Sequence, residues 1–318
     1  MDAAALSREI LSLLELRESA QVPPWAAGRL CALLDASHAQ VLRVLPVAAA
    51  RRPEAGGACF AVAEGPHAAP EPVNPSSDLG CALESRQPVS GAAGLWVPLA
   101  ALDEIRYVVG ITGARRAEGV IEYLYPALAA YFARLVDAET DPLTQLANRR
   151  SFYSDVSAGL PRWAKAPGLH FIAVADIDHF KQVNDTYGHL FGDEILIHFA
   201  RLMRRTFRAG DLLFRFGGEE FVAVYGVKRG EEGARPLERF RAAVAGYAFP
   251  GDRTVTASIG FVAIGDGSVP ATTLIDRADR ALYHAKAQGR NRVCSYEELL
   301  AAGAIAADKP PASEATLF

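Results

Sequence analysis

The pattern of apolar and polar positions changes texture near residue 117 and again near residue 141. Up to Ala117, helical spacing over about 4–17 and 24–35 gives way to short apolar runs that read as strands. These are VLRVLPV from Val41, CFAVA from Cys59, LWVPLAAL from Leu95 and IRYVVGITG from Ile105, the last rich in β-branched residues and closed by a glycine. Two helices followed by a meander of strands predict a small α+β domain over residues 1–117. Between Ala117 and Asp141, apolar residues recur at Ile121, Leu124, Leu128, Tyr131 and Leu135, alternately three and four apart. The spacing predicts a helical connector over 118–140, either a coiled-coil seam or an amphipathic helix packed on its own domain, with Pro126 as a kink or first-turn residue. From 141 to 297, strand-like and helix-like runs alternate with dense clusters of glycine, acids and bases. The Ala- and Pro-rich segment 298–318 reads as a disordered tail.

Composition narrows the function classes. A length of 318 residues suits two domains, and with half of the residues hydrophobic and 22% charged, both can bury a core. A formal net charge of −4 argues against the broad basic surface that nucleic acid requires, so a nucleotide is the expected partner and nucleic acid is not. Cys31, Cys59, Cys81 and Cys294 lack the paired spacing of a zinc site and read as buried reduced thiols. No apolar run approaches the ~20 residues of a membrane span. The first residues, with Asp2, Arg8 and Glu9, lack the basic-then-apolar pattern of a leader, and the chain is read as cytoplasmic.

The candidate chemistry lies after residue 141. FIAVADID, residues 171–178, is an apolar run ending in two acids, a buried strand that delivers Asp176 and Asp178 to its carboxyl end with Ile177 on the opposite face. Carboxylates there are hard oxygen ligands suited to Mg²⁺. RFGGEEF, from Arg215 to Phe221, lies between the apolar runs LLF and FVAVYG and reads as a β-hairpin with Gly217, Gly218, Glu219 and Glu220 at its tip. Its glycines would permit positive φ and close approach of a ligand. Taken alone, Gly-Gly-Glu-Glu is more often a solvated turn.

DPLTQLANRR (141–150), DIDHFKQVNDTYGHLFGDEIL (176–196), the hairpin, TASIGF (256–261) and ADRALYHAKAQGRNRV (278–293) follow one another along one half of the chain. Together they resemble the GGDEF family of diguanylate cyclases. The resemblance implies a metal site of Asp176, the backbone carbonyl of Ile177, and Glu219, holding Mg²⁺ or Mn²⁺, with Glu219 also the catalytic acid that assists loss of the 3′-hydroxyl proton. It makes Lys181 a catalytic cation on the phosphates, joined by Lys286 and Arg290 and by the backbone N–H groups near His179 and Phe180. Asn184 and Asp193 match the guanine-reading pair. Arg208 and Asp211, with five residues between Asp211 and Gly217, match the family's product-inhibition motif. Gln145 stands where the family usually has glycine.

The resemblance further implies a mainly antiparallel central sheet flanked by helices, similar to the palm of adenylyl cyclases and polymerases. It implies condensation of two GTP into cyclic di-GMP by a homodimer, with the product also acting as an inhibitor. The order of elements in 1–117 resembles GAF sensor domains, with PAS as the rival, and implies a small-molecule or protein signal of unknown identity. Two other readings remain: a catalytically silent receptor for GTP or cyclic di-GMP, and a cyclase that uses ATP. Intact Asp176, Lys181 and Glu219 disfavour the first, and Asn184 with Asp193 disfavours the second.

Overall fold

The computed structural model describes residue 9 and residues 11–17, 21–46, 60–64, 71–92, 94–101, 104–114, 120–208 and 210–306. It divides into two units, Met1–Glu139 and Thr140–Phe318. Both are α+β with sheets that are wholly or mainly antiparallel. Among the described residues, no helix is long and apolar enough to cross a membrane.

The first unit contains helix α1 (Val22–Leu33), strands β1 (His38–Pro46), β2 (Phe60–Glu64) and β3 (Glu71–Pro72), helix α2 (Asp78–Ser85), strands β4 (Val89–Gly91), β5 (Gly94–Ala101) and β6 (Glu104–Thr112), and helix α3 (Val120–Glu139). The strands form one antiparallel sheet in the order β3-β2-β1-β6-β5-β4. Period-two alternation sends Val97, Leu99, Val109 and Ile111 to the face covered by α1 and α3, and Leu42, Val44, Trp96 and Val108 to the face covered by α2. The connector is thus a helix whose seam is filled within its own unit. Leu124, Leu128, Phe132 and Val136 are buried there, flanked by the half-buried Ile121, Tyr131 and Leu135.

The expected helix at 24–35 runs from Val22 to Leu33. Of the one expected at 4–17, residues 9 and 11–14 are helical, while 4–8, 10 and Cys59 lie outside the described residues. Sequence reading missed β3, α2 and β4, which are too short for a periodic pattern. A local signal for α2 was present in Ser77, whose Oγ accepts from the Gly80 N–H as an N-cap.

The second unit contains strand β7 (Ala147–Asn148), helix α4 (Arg149–Trp163), strand β8 (Leu169–Ile177), helices α5 (Phe180–Tyr187) and α6 (His189–Thr206), strands β9 (Leu212–Arg215) and β10 (Glu220–Val227), helix α7 (Ala234–Ala245), strand β11 (Ala257–Ala263), helix α8 (Ala271–Ala287), strand β12 (Val293–Ser295) and helix α9 (Tyr296–Ala301). The sheet order is β12-β11-β8-β10-β9-β7, antiparallel except for the outer pairs β11–β12 and β7–β9. Odd-numbered residues of β8 and β10, such as Ala175 and Phe221, face α6 and α7, whereas Ile172, Val174, Val222 and Val224 face α4 and α8. Burial on both faces explains why these strands are continuously apolar rather than alternating.

The end of this unit corrects the expected tail. Tyr296–Ala301 is helical, capped by Ser295 Oγ on the Glu298 N–H, with Tyr296 buried and Ile305 packed on the same core. Residues 307–318 lie outside the described residues.

A turn opens the second unit and ties it to the β9–β10 hairpin. Asp141 N–H donates to Leu146 O (2.8 Å), and Asp141 Oδ1 accepts from Thr144 N and Oγ1. Arg215 Nη1 lies 3.0 and 3.1 Å from the two Asp141 oxygens, while its Nη2 donates to Gly218 O at 2.8 Å. Burial pushes the Asp141 carboxyl up, but the bonds from Thr144 and the Arg215 charge outweigh it and hold the group below its ordinary value. Gln145 takes φ 60°, the left-handed conformation in which glycine carries no Cβ penalty.

Two outcomes follow for stability. Gln145→Gly should raise the unfolding free energy by about 1 kcal/mol, read as a higher urea midpoint at constant slope. Asp141→Ala should lower it by about 1–3 kcal/mol at neutral pH. Because the folded-state carboxyl is depressed, this difference is fully present above the ordinary value of 3.8 and shrinks as pH falls through the lowered one. A pH-independent difference in urea titrations would show that the ionised pair is not its source.

Candidate active site at the ends of β8 and β10

The register of the sheet assembles the acids. Asp176 is directly opposite Glu220 on β10 and Ser258 on β11, so the three side chains share the face covered by α8. Ile177 N–H donates to Glu219 O at 3.4 Å, which brings the hairpin tip to the end of β8. From α8, Lys286 Nζ reaches Asp176 Oδ2 at 2.8 Å. Gly260 of β11 permits this close approach, since a Cβ there would overlap the α8 backbone at Ala278 and Leu282.

Asp176 is 4% exposed, and burial pushes its carboxyl up, with Lys286 pulling down and Glu220 and Asp178 pushing up. Glu219 is also raised, first by burial and then by the Asp176 charge, against the pull of Lys286. The site is therefore a cluster of mutually repelling acids in which added positive charge is favourable. Among the described residues, no group of three or more His, Cys, Asp or Glu could hold a metal alone. The donor set fits a Mg²⁺-type ion that takes one or two carboxylates and completes its shell with carbonyl, water or phosphate oxygens.

The hairpin corrects one expectation. Neither Gly217 nor Gly218 takes a positive φ. A Cβ on Gly217 would come within 2.7 Å of Glu220 Oε2, whereas one on Gly218 would meet nothing within 4 Å. Gly218 is exposed, so nothing in the fold itself requires its bareness.

The remaining expected residues fall into separate groups. His179, at φ 60°, precedes α5 without a side-chain cap, which leaves the first-turn N–H groups of Phe180 and Lys181 for an outside acceptor. Lys181 is exposed, and the Phe180 ring is in the core. Asn184 on α5 abuts Gly192 on α6, where a Cβ would overlap Asn184 Oδ1, and Asp193 follows directly. Asn184 Oδ1 is buried with no hydrogen-bond partner among the described residues. Arg208 and Asp211 close a turn through Arg208 N–H to Asp211 Oδ2 (2.8 Å) and Asp211 N–H to Arg208 O (3.0 Å), with the Arg208 side chain exposed.

Lys286 lies in the last turn of α8, and Arg290 lies beyond it. α8 ends at Ala287, and Gly289, Arg290 and Asn291 follow with φ of 105°, 63° and 46°. Sequence reasoning also missed Asp141, Arg215, Thr256 and Ser258 as participants. The last two were legible as a Thr-x-Ser alternation that places both hydroxyls on one face.

Comparisons with known proteins place the second unit in a family. The family described as diguanylate cyclase, GGDEF domain, matches residues 138–292. Diguanylate cyclase DgcP of Pseudomonas aeruginosa is 42% identical over 159 residues, which are 49% of this chain and 24% of DgcP. Response regulator PleD of Caulobacter vibrioides is 40% identical over 162 residues, 49% of this chain and 36% of PleD. The chain thus spans well under half the length of either relative. The solved coiled coil and GGDEF domain of DgcB from Caulobacter crescentus, in complex with c-di-GMP, is 31% identical with a TM-score of 0.50, over 55% of this chain and 93% of that one. With the family match covering residues 138–292 and the DgcB relative covered over 93% of its length, the chain belongs to the GGDEF diguanylate cyclase family through residues 138–292.

Proposed function

We propose that the chain is a diguanylate cyclase that condenses two GTP into cyclic di-GMP and two pyrophosphates. The observation that carries this reading is the convergence of Asp176, Glu219 and Lys286 at the ends of two paired strands. Asp176, the Ile177 carbonyl and Glu219 would hold Mg²⁺ or Mn²⁺, which supplies charge neutralisation at the triphosphate and acidifies a coordinated hydroxyl. Glu219 would accept the 3′-hydroxyl proton. Lys181, the N–H groups of His179 and Phe180, Lys286 and Arg290 hold the phosphates. Lys286, seated on Asp176, offsets part of the cluster's negative charge.

The buried, unpartnered Asn184 Oδ1 supports a guanine donor as its missing partner, with Asp193 accepting from a second one. Each site holds one GTP, and each 3′-oxygen attacks the α-phosphate of the other nucleotide, so two catalytic units must face each other in a homodimer. The first unit acts as a GAF-like or PAS-like sensor that sets how often they align. Cyclic di-GMP binding at Arg208 and Asp211 provides product inhibition.

Incubation with Mg²⁺ and GTP should yield cyclic di-GMP by mass spectrometry, with ATP giving none. Asp176→Asn and Glu219→Gln should each lower turnover at least about 100-fold, and unchanged turnover in either variant would overturn the site. Arg208→Ala should leave the initial rate near wild type and raise the product concentration needed for half-inhibition about tenfold or more. An unmoved inhibition curve would remove that role.

A further inference from the structure

The two acids at the end of β8 carry different loads. Asp176 faces Lys286, whereas the oxygens of Asp178 are given over to donors of the protein itself. Asp178, 6% exposed, donates its N–H to Thr256 O at 2.9 Å. Its Oδ1 accepts from Ser258 Oγ at 2.7 Å, and its Oδ2 from Thr256 Oγ1 at 2.7 Å and from the Asn291 N–H at 3.0 Å. With three donors on two oxygens, Asp178 is a poor candidate for a cation ligand and a strong anchor for backbone.

What it anchors is strained. Arg290 and Asn291 are successive non-glycine residues in the left-handed region, a conformation that L-residues adopt only when surrounding bonds over-determine it. Those bonds are Arg290 N–H to Ala285 O (3.0 Å), Asn291 N–H to Asp178, Arg241 Nη1 to Asn291 Oδ1 (2.9 Å) and Ile259 N–H to Arg292 O (2.9 Å). Among the described residues, only the bond to Asp178 joins this turn to the end of β8, two residues from Asp176.

We propose that Asp178 is the positioning residue for Arg290, holding the 289–292 turn against the end of β8 so that the Arg290 side chain starts from a fixed point beside the acid cluster. The inference rests on the reading that Arg290 contacts the phosphates of GTP. Asp178 itself touches no substrate. Its charge-assisted bond to the Asn291 N–H offsets the strain of the turn.

The test is made on the full chain. Asp178→Ala should raise KM for GTP about tenfold, with kcat within about threefold of wild type. Arg290→Ala should do the same, and the double variant should be no worse than either single one, because the first change already removes what the second depends on. Asp178→Asn keeps one oxygen for the Asn291 N–H, and the Ser258 hydroxyl can turn to accept from the new amide. KM should then stay within about threefold of wild type. Hydrogen exchange over 288–293 should rise in Asp178→Ala and stay unchanged over 216–221.

Unmoved KM and exchange in Asp178→Ala, or additive losses in the double variant, would overturn the proposal. So would an Asn variant as inactive as Asp176→Asn, which would make Asp178 a metal ligand and which decides the matter even if the alanine variant does not fold. If the wild type makes no cyclic di-GMP, the functional reading fails, and the exchange measurement still decides whether Asp178 holds the turn.

Discussion

Asp176, Glu219 and Glu220 are gathered at the ends of two hydrogen-bonded strands, where burial and mutual repulsion raise the proton affinity of Asp176 and Glu219 and the ammonium of Lys286 opposes both effects. The rest of the second unit is built so that this crowding persists. β8 is central and pairs on both sides, which fixes Asp176 opposite Glu220 and Ser258 and prevents the acids from relaxing apart. Gly260 lets α8 lie close on β11, so the lysine that balances the charge arrives from a packed helix rather than a loop. A site that stores repulsion in this way favours added positive charge.

Holding the acids in place requires control of the hairpin that carries two of them. Its turn is held from below by Arg215, which bonds Gly218 O with one nitrogen and Asp141 with another. Asp141 lies in the second unit's opening turn, and Arg204 of α6 donates to Thr144 O in the same turn. One guanidinium therefore joins the start of the second unit to the tip of the β9–β10 hairpin. This is a short path by which the geometry of the opening segment reaches Glu219. Gln145, strained in the middle of that turn, costs stability where a glycine would not.

Acids two residues apart on one strand would ordinarily be read as a pair with one task. Here the second is enclosed by Thr256, Ser258 and Asn291 and serves to hold chain rather than cation. The division has a physical basis. A carboxylate that already receives three hydrogen bonds offers little to an incoming ion, while its neighbour, paired with a single ammonium, offers a great deal.

The continuous apolar runs at 171–177 and 221–225 and the order of the motifs made β8, β10 and the hairpin between them legible in the sequence, because strand burial is written in neighbouring residues. The α+β class was legible on the same grounds, whereas β3, β4 and α2 were too short to set a period. The sequence could not show that α8 stops at Ala287, short of Arg290, that Tyr296–Ala301 forms a helix, or that the hairpin glycines keep negative φ. It also could not pair Asp141 with Arg215, 74 residues on, or Asp178 with Asn291, 113 residues on. Those bonds follow from sheet register and from how closely α8 packs on β11. Register and packing are set by the whole core at once, not by any local stretch of chain.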